Sequence, residues 1–338
     1  MADEQPAGLD LIARGIGLRL GSLAITGWLL AFGAGTLPEA RAQAAPAGAV
    51  QTAAAQPIAA AADGRPAEAP GKPGLRPSTA GPRVSIVTPP FGLGPTSGPR
   101  WLRIYLPPSY ALGDRRYPVI YMHDAQNLFD EASAFAGEWG VDETLDELAR
   151  REGFEAIVVG IDHGGAQRVT EMNPWDHPRF GRGEGLAYTA FIVHTLKPWI
   201  DAQYRTLAAP EQTALIGSSL SALITERVIR LHPQSFGRAG ILSPAYWVAD
   251  PAIFDFARQH PLPAGSRVYL SVGEREGEGT VQRAERMLAT LRNQRPEPGA
   301  IHWHRVAGAE HNETAWRQEL PRVIRALFGL GVVERGPR

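Results

Sequence analysis

Thr213-Ala214-Leu215-Ile216-Gly217-Ser218-Ser219-Leu220-Ser221-Ala222-Leu223-Ile224 is the stretch whose reading decides the fold. An apolar run of strand type ends in Gly-Ser-Ser, and a helical pattern follows at once. This is the strand–turn–helix setting of a nucleophile elbow, with Ser219 at its tip. A serine hydroxyl is a weak nucleophile, so it has to be presented both to a base and to a substrate carbonyl. A tight turn at the end of a strand does that. Strand and helix nearly touch there, and the positions two before and two after the serine take only small residues. Gly217 meets the demand; Ser221 stands where the motif has glycine and is small enough to fit. An ordinary Gly/Ser-rich loop would look the same locally, so the rest of the chain must decide.

Working outward, strand and helix signals alternate on both sides of this stretch. Residues 84–87, 101–106, 117–122, 156–161, 238–243, 268–272 and 301–306 read as strands, and the second of these alternates in polarity. The runs at 117–122 and 156–161 are continuously apolar, as central strands of a parallel sheet are. Helical periodicity covers 139–150, 186–204, 281–291 and 316–327, with Pro198 disturbing the second of these late. A long irregular stretch fills 163–184. The pattern predicts an α/β fold with a mostly parallel central sheet and helices on both faces. Ligands in such sheets sit beyond the carboxyl ends of the strands. Those ends carry Asp124, Asp162, Ser219, Ser243, Glu276 and His311.

A hydroxyl nucleophile needs a base, and the base needs an orienting acid. The α/β-hydrolase fold supplies them in the chain order Ser, Asp or Glu, His. Here Ser219 is followed by Glu276 or Glu274 after one strand, and by His311 after the last. Each has a plainer reading. His311 could open a helix in Ala-Glu-His-Asn-Glu-Thr, and the two glutamates could be solvated loop charges. His123, Asp124, Asp162 and His163 could form a metal site, but no paired ligand spacing supports one.

The 338 residues carry a formal net charge of -1, no cysteine and 44% hydrophobic residues. A core of substantial size follows, and the nearly neutral balance argues against a nucleic-acid binder, which would show a basic patch or stripe. No thiolate metal site, disulfide or cysteine nucleophile is available. Arg14 and Arg19 precede an apolar run from Leu20 to Gly35, and Ala40-Arg41-Ala42 is a small-x-small cleavage signal. Residues 1–42 are expected to be a cleaved secretory signal peptide and the protein periplasmic or secreted, with an uncleaved N-terminal anchor as the alternative. Residues 43–82, rich in Ala, Pro and Gly, are expected to be a flexible linker, 83–332 the folded domain and 333–338 a tail.

Several stretches together resemble the putative-esterase family of α/β-hydrolases. They are residues 117–130 (YPVIYMHDAQNLFD), 159–162 (VGID), 217–220 (GSSL), 240–247 (GILSPAYW) and 310–313 (EHNE). That family includes enterochelin esterases, feruloyl and acetyl-xylan esterases, S-formylglutathione hydrolases and mycolyltransferases. The resemblance implies a serine esterase with Ser219 as nucleophile and His311 as general base. The family's Gly-x-x-Asp/Glu pattern falls on Gly273-Glu274-Arg275-Glu276 and implies Glu276 as the acid. It also implies an oxyanion hole from the backbone N–H groups of Leu220 and Ala125. The family commonly has Gly-Gly where Ser221-Ala222 stand here. His123, Asp124, Asp162, His163 and Trp175 are expected to line the substrate pocket. No cofactor is implied, and the partner is a small-molecule or carbohydrate ester. Transfer of the acyl group to a sugar, or a binding protein on an inherited hydrolase fold, are the rival readings.

Overall fold

The computed structural model describes residues 76–94 and 97–331, so the stretches expected to be signal peptide (1–42) and tail (333–338), and most of the expected linker, lie outside the described residues. The strands are β1 (Val84–Val87), β2 (Gly92–Gly94), β3 (Ser97–Pro99), β4 (Leu102–Tyr105), β5 (Val119–His123) and β6 (Ile157–Ile161), then β7 (Thr213–Ser218), β8 (Arg238–Leu242), β9 (Arg267–Gly273) and β10 (Ile301–Val306). The helices are α1 (Val141–Glu152), α2 (Arg168–Glu171), α3 (Gly185–Phe191), α4 (Lys197–Gln203), α5 (Ser221–Leu231), α6 (Ala252–Gln259), α7 (Glu278–Gln294) and α8 (Glu313–Phe328).

Eight strands form one sheet in the order β1-β4-β6-β5-β7-β8-β9-β10. β1 and β4 run antiparallel, β4 meets β6 antiparallel, and every pairing from β6 through β5 to β10 is parallel. β2 and β3 pair separately as a two-stranded ribbon. The chain leaves β5 for β6 on one side, then returns to β7 on the other and continues outward. The crevice between the carboxyl ends of β5 and β7 is therefore the topological switch point.

Alternation along the strands builds two cores. Val119, Tyr121, Ile157, Val159 and Leu215 point to the face covered by α3 to α7. Ile120, Met122, Val158, Ala214 and Ile216 point to the other, covered by α1 and α8. With both faces dry, the central strands can be apolar throughout.

Three local differences from the sequence expectation have physical causes. β4 was expected to alternate in exposure, yet all four residues are buried. Arg103 is tolerated there because its guanidinium meets Asp162 at 2.9 Å and the Ser133 hydroxyl at 2.8 Å. The helix expected over 186–204 runs from α3 to α4 through a π-turn at Ile192–Leu196. Pro198 follows directly; it has no N–H to donate, and its ring crowds the carbonyl of the preceding turn, so the helix widens. Third, residues 76–82, expected in the linker, lie on the domain. Arg76 pairs with Glu131 at 2.5 Å, Ser78 with Asp130 at 2.9 Å, Thr79 with Glu138 at 2.8 Å, and the Gly81 N–H with Asp142 at 2.8 Å. Polar groups hold this strap, so an apolar pattern could not reveal it.

Candidate active site

Ser219 sits at the tip of the turn between β7 and α5 with φ +57°, in the left-handed region where non-glycine residues are rare. Its N–H donates to Leu242 O at 3.0 Å, and its C=O accepts from Ala245 N–H at 3.0 Å. The turn is thereby pinned to the loop after β8. Gly217 has to be glycine: a Cβ there would stand 2.7 Å from Thr225 Oγ1 and 2.8 Å from the Ser221 carbonyl. Ser221 is fully buried and its hydroxyl is engaged, accepting from Ser218 N–H at 3.0 Å and lying 2.7 Å from Ser218 O. The departure from glycine is accommodated by hydrogen bonds inside the elbow.

His311 follows β10 and is set by Asn312, whose side chain caps α8 by accepting from Ala315 N–H at 3.0 Å. His311 lies just outside α8, before its Asn312 cap, and faces the elbow. Its Nε2 lies 2.9 Å from Ser219 Oγ, and its Nδ1 lies 2.8 Å from Glu276 Oε2. A carboxylate only accepts, so Nδ1 carries the proton and Nε2 presents its lone pair to the serine hydroxyl. The His311 side chain is 39% exposed and that of Glu276 is 1% exposed, so the imidazole is reachable and the carboxylate sealed. The other oxygen of Glu276 accepts from Gly273 N–H at 2.5 Å and from Ser243 Oγ at 2.6 Å. Ser243 in turn accepts from Trp316 Nε1–H at 2.8 Å, and the Trp316 ring stands edge-on to His311 with centroids 5.1 Å apart. Glu274 points elsewhere: it is about half exposed, accepts from Gly308 N–H at 3.2 Å and lies 3.6 Å from Arg305.

Across the switch point, Ala125 follows β5. The backbone N–H groups of Ala125 and Leu220 have no acceptor among the described residues. Gly160 on the neighbouring strand makes room for this loop: a Cβ there would come within 2.8 Å of the Ala125 methyl. Two N–H groups without acceptors among the described residues, one of them in the residue after a half-buried Ser219, can receive negative charge on an oxygen.

The residues expected to line the pocket divide. His123, Asp124 and Asp162 are buried and engaged by protein partners. His123 bonds Tyr188 at 2.9 Å, and burial pushes its imidazole down to about 4. Asp124 is held by Arg168 through both oxygens at 2.6 and 2.9 Å. Burial alone would raise the Asp124 carboxyl, but the guanidinium more than offsets it and holds the group below its ordinary value. Asp162 pairs with Arg103, yet burial dominates there and its carboxyl is raised. His163 and Trp175 remain half-buried; Trp175 meets Phe256 edge-on at 5.7 Å. Ser243, Trp316 and Arg168 were not singled out from the sequence as partners of the site. Ser243 had one signal, its place at the end of a strand. The other two had none, since only the folded chain brings them here.

A family model described as Putative esterase matches residues 96–327. The chain belongs to this esterase family. The esterase is 29% identical over 189 residues to an uncharacterized protein, YbbA, of Bacillus subtilis (strain 168), covering 54% of this chain and 70% of that one. Its fold is similar to that of an IroE-like serine hydrolase from Shewanella oneidensis, with a TM-score of 0.60 at 18% identity over 73% of this chain and 80% of that one. A ferulic acid esterase gives 0.56 at 17% identity over 73% and 98%. The esterase thus has the eight-stranded α/β-hydrolase sheet. Among its described residues no helix is long and apolar enough to cross a membrane.

Proposed function

We propose that this esterase hydrolyses a carboxylic ester by way of a covalent acyl-serine at Ser219. The observation that carries the reading is the unbroken chain from Ser219 Oγ to His311 at 2.9 Å and on to Glu276 at 2.8 Å. His311 Nε2 takes the Ser219 proton as Oγ attacks the ester carbonyl. Glu276 holds the imidazole tautomer and stabilises the imidazolium that forms. The N–H groups of Ala125 and Leu220 receive the developing oxyanion. His311 returns the proton to the departing alkoxide, and water, activated by the same imidazole, then releases the acid. The substrate in this reading is a carbohydrate-linked or siderophore ester met outside the cytoplasm, with residues 1–42 serving as the export signal.

A fluorophosphonate probe tests the nucleophile: peptide mapping should find the label on Ser219, and Ser219→Ala should take up none and lose turnover while its thermal unfolding stays near that of the parent. Label on Ser218 alone would move the elbow by one residue. A panel of short-chain aryl esters, feruloylated sugars, acetylated xylan and a trilactone siderophore, each with and without an alcohol acceptor, then separates the substrate classes and separates hydrolysis from transfer. N-terminal sequencing of exported protein should begin near Gln43; an intact residue 1–30 segment would remove cleavage from the proposal.

A further inference from the structure

We propose that Arg168 is a positioning residue for the oxyanion hole, acting through Asp124 and Ser221. The inference rests on the esterase reading of Ser219, Ala125 and Leu220. The two N–H donors belong to different parts of the chain, one to the turn after β5 and the other to the turn into α5. β5 and β7 pair as neighbours as far as Met122 and Ile216, so the ladder ends short of both donors and leaves their two turns to be tied by side chains. Asp124 immediately precedes Ala125, and Ser221 immediately follows Leu220. Ser221 Oγ lies 3.3 Å from Asp124 Oδ2, so a side-chain contact joins the neighbours of the two donors across 97 residues of sequence. The single proton of Ser221 is shared between this carboxylate and the Ser218 carbonyl. The glycine that the family commonly has here would supply neither contact.

Asp124 has to be held from outside. Its φ is +56°, a left-handed backbone that a side chain disfavours, and the direction of the Ala125 N–H depends on that turn. Arg168, on α2, grips both carboxylate oxygens, at 2.6 and 2.9 Å, in the two-pronged arrangement that fixes a carboxylate in plane. The grip has a second effect. A buried carboxylate beside an oxyanion hole repels the charge that develops there, and the guanidinium cancels that repulsion. Arg168 therefore sets both the aim and the potential of the site without touching the reacting atoms.

The test is steady-state kinetics on an aryl ester, with thermal melts, for Arg168→Met, Arg168→Lys, and Arg168→Met combined with Asp124→Asn. Arg168→Met should lower kcat by about 30-fold or more and leave KM within about threefold, since the aim of one oxyanion donor is lost. The double variant, with no stranded carboxylate, should regain about fivefold or more of that loss. If Arg168→Met does not fold, Arg168→Lys decides: it keeps the charge but cannot grip both oxygens, so kcat should fall by about tenfold at unchanged KM. Folded Arg168→Met or Arg168→Lys at the parental kcat would overturn the proposal. So would a rise in KM at constant kcat, which would make Arg168 a substrate contact. A double variant no better than Arg168→Met would overturn the charge-balancing role. A parent that turns over no ester removes the esterase reading and this inference together; an active parent with equally active Arg168 variants removes this inference alone.

Discussion

Glu274 and Glu276 stand two residues apart on one turn and meet opposite surroundings. Glu276 is sealed, takes three hydrogen bonds and faces His311; Glu274 is half exposed and braces the turn through Gly308. Glu276→Gln should therefore lower kcat by orders of magnitude, up to ~10⁴, at little change in KM, because the amide can favour the wrong imidazole tautomer. Glu274→Gln should stay within about fivefold of the parent, as exposed charges usually permit. Equal losses in both, measured on the same ester, would disconnect the acid from His311. Ser219 and His311, which the structure brings within 2.9 Å, were candidates in the sequence because an elbow and a chain order constrain residue types; those left Glu274 and Glu276 open, and only the family resemblance favoured Glu276. Arg168 could not be read there, because its part is set by a contact between α2 and the turn after β5, and Ser243 gave only its place at the end of a strand. His123 and Asp124 could be placed beside the elbow, but their partners Tyr188 and Arg168 could not be read from the motif.

At the scale of elements, every strand pattern longer than three residues and the long amphipathic helices were legible. The one-turn α2 and the β2–β3 ribbon were not, since each is too short to show a period; the eight-residue α6 is absent from the sequence expectation although Ile253, Phe256 and Ala257 repeat at helical spacing on its buried side. The strap formed by residues 76–82 escaped for a different reason: polar bonds, not apolar packing, hold it. It lies over a buried carboxyl at the start of α1. Asp142 accepts from Gly81, its Oδ1 has no partner among the described residues, and burial raises its carboxyl to about 7 against the opposing pull of the Gly81 bond. The folded protein thus keeps a proton that the unfolded chain releases near pH 4. Stability is then highest below that value and declines as pH rises toward 7. Asp142→Asn retains an acceptor for Gly81 and carries no charge. Its melting temperature should exceed the parent's by about 2–4 °C at pH 8 and match it near pH 4. A difference independent of pH would show that the carboxyl does not titrate across that range.

For the whole molecule, the site joins parts of the chain that are far apart. His311 lies 92 residues beyond Ser219, and it is held between β10 and a terminal helix, α8, that packs back against α1. Trp316, on that helix, braces Ser243 and through it Glu276. Contacts of such long range are slow to form, because the loop they close must be ordered first. On dilution from denaturant, recovery of ester turnover should therefore track the final burial of Trp316, followed by tryptophan fluorescence against a Trp316→Phe reference, and lag behind recovery of helical circular dichroism. Turnover that returns with the early signal would mean that α8 is dispensable to the site. The placement of α8 has a biological corollary. On the proposed reading, a nascent chain that has not yet made β10 and α8 holds Ser219 but not His311, and it stays chemically silent during synthesis until those two elements have docked.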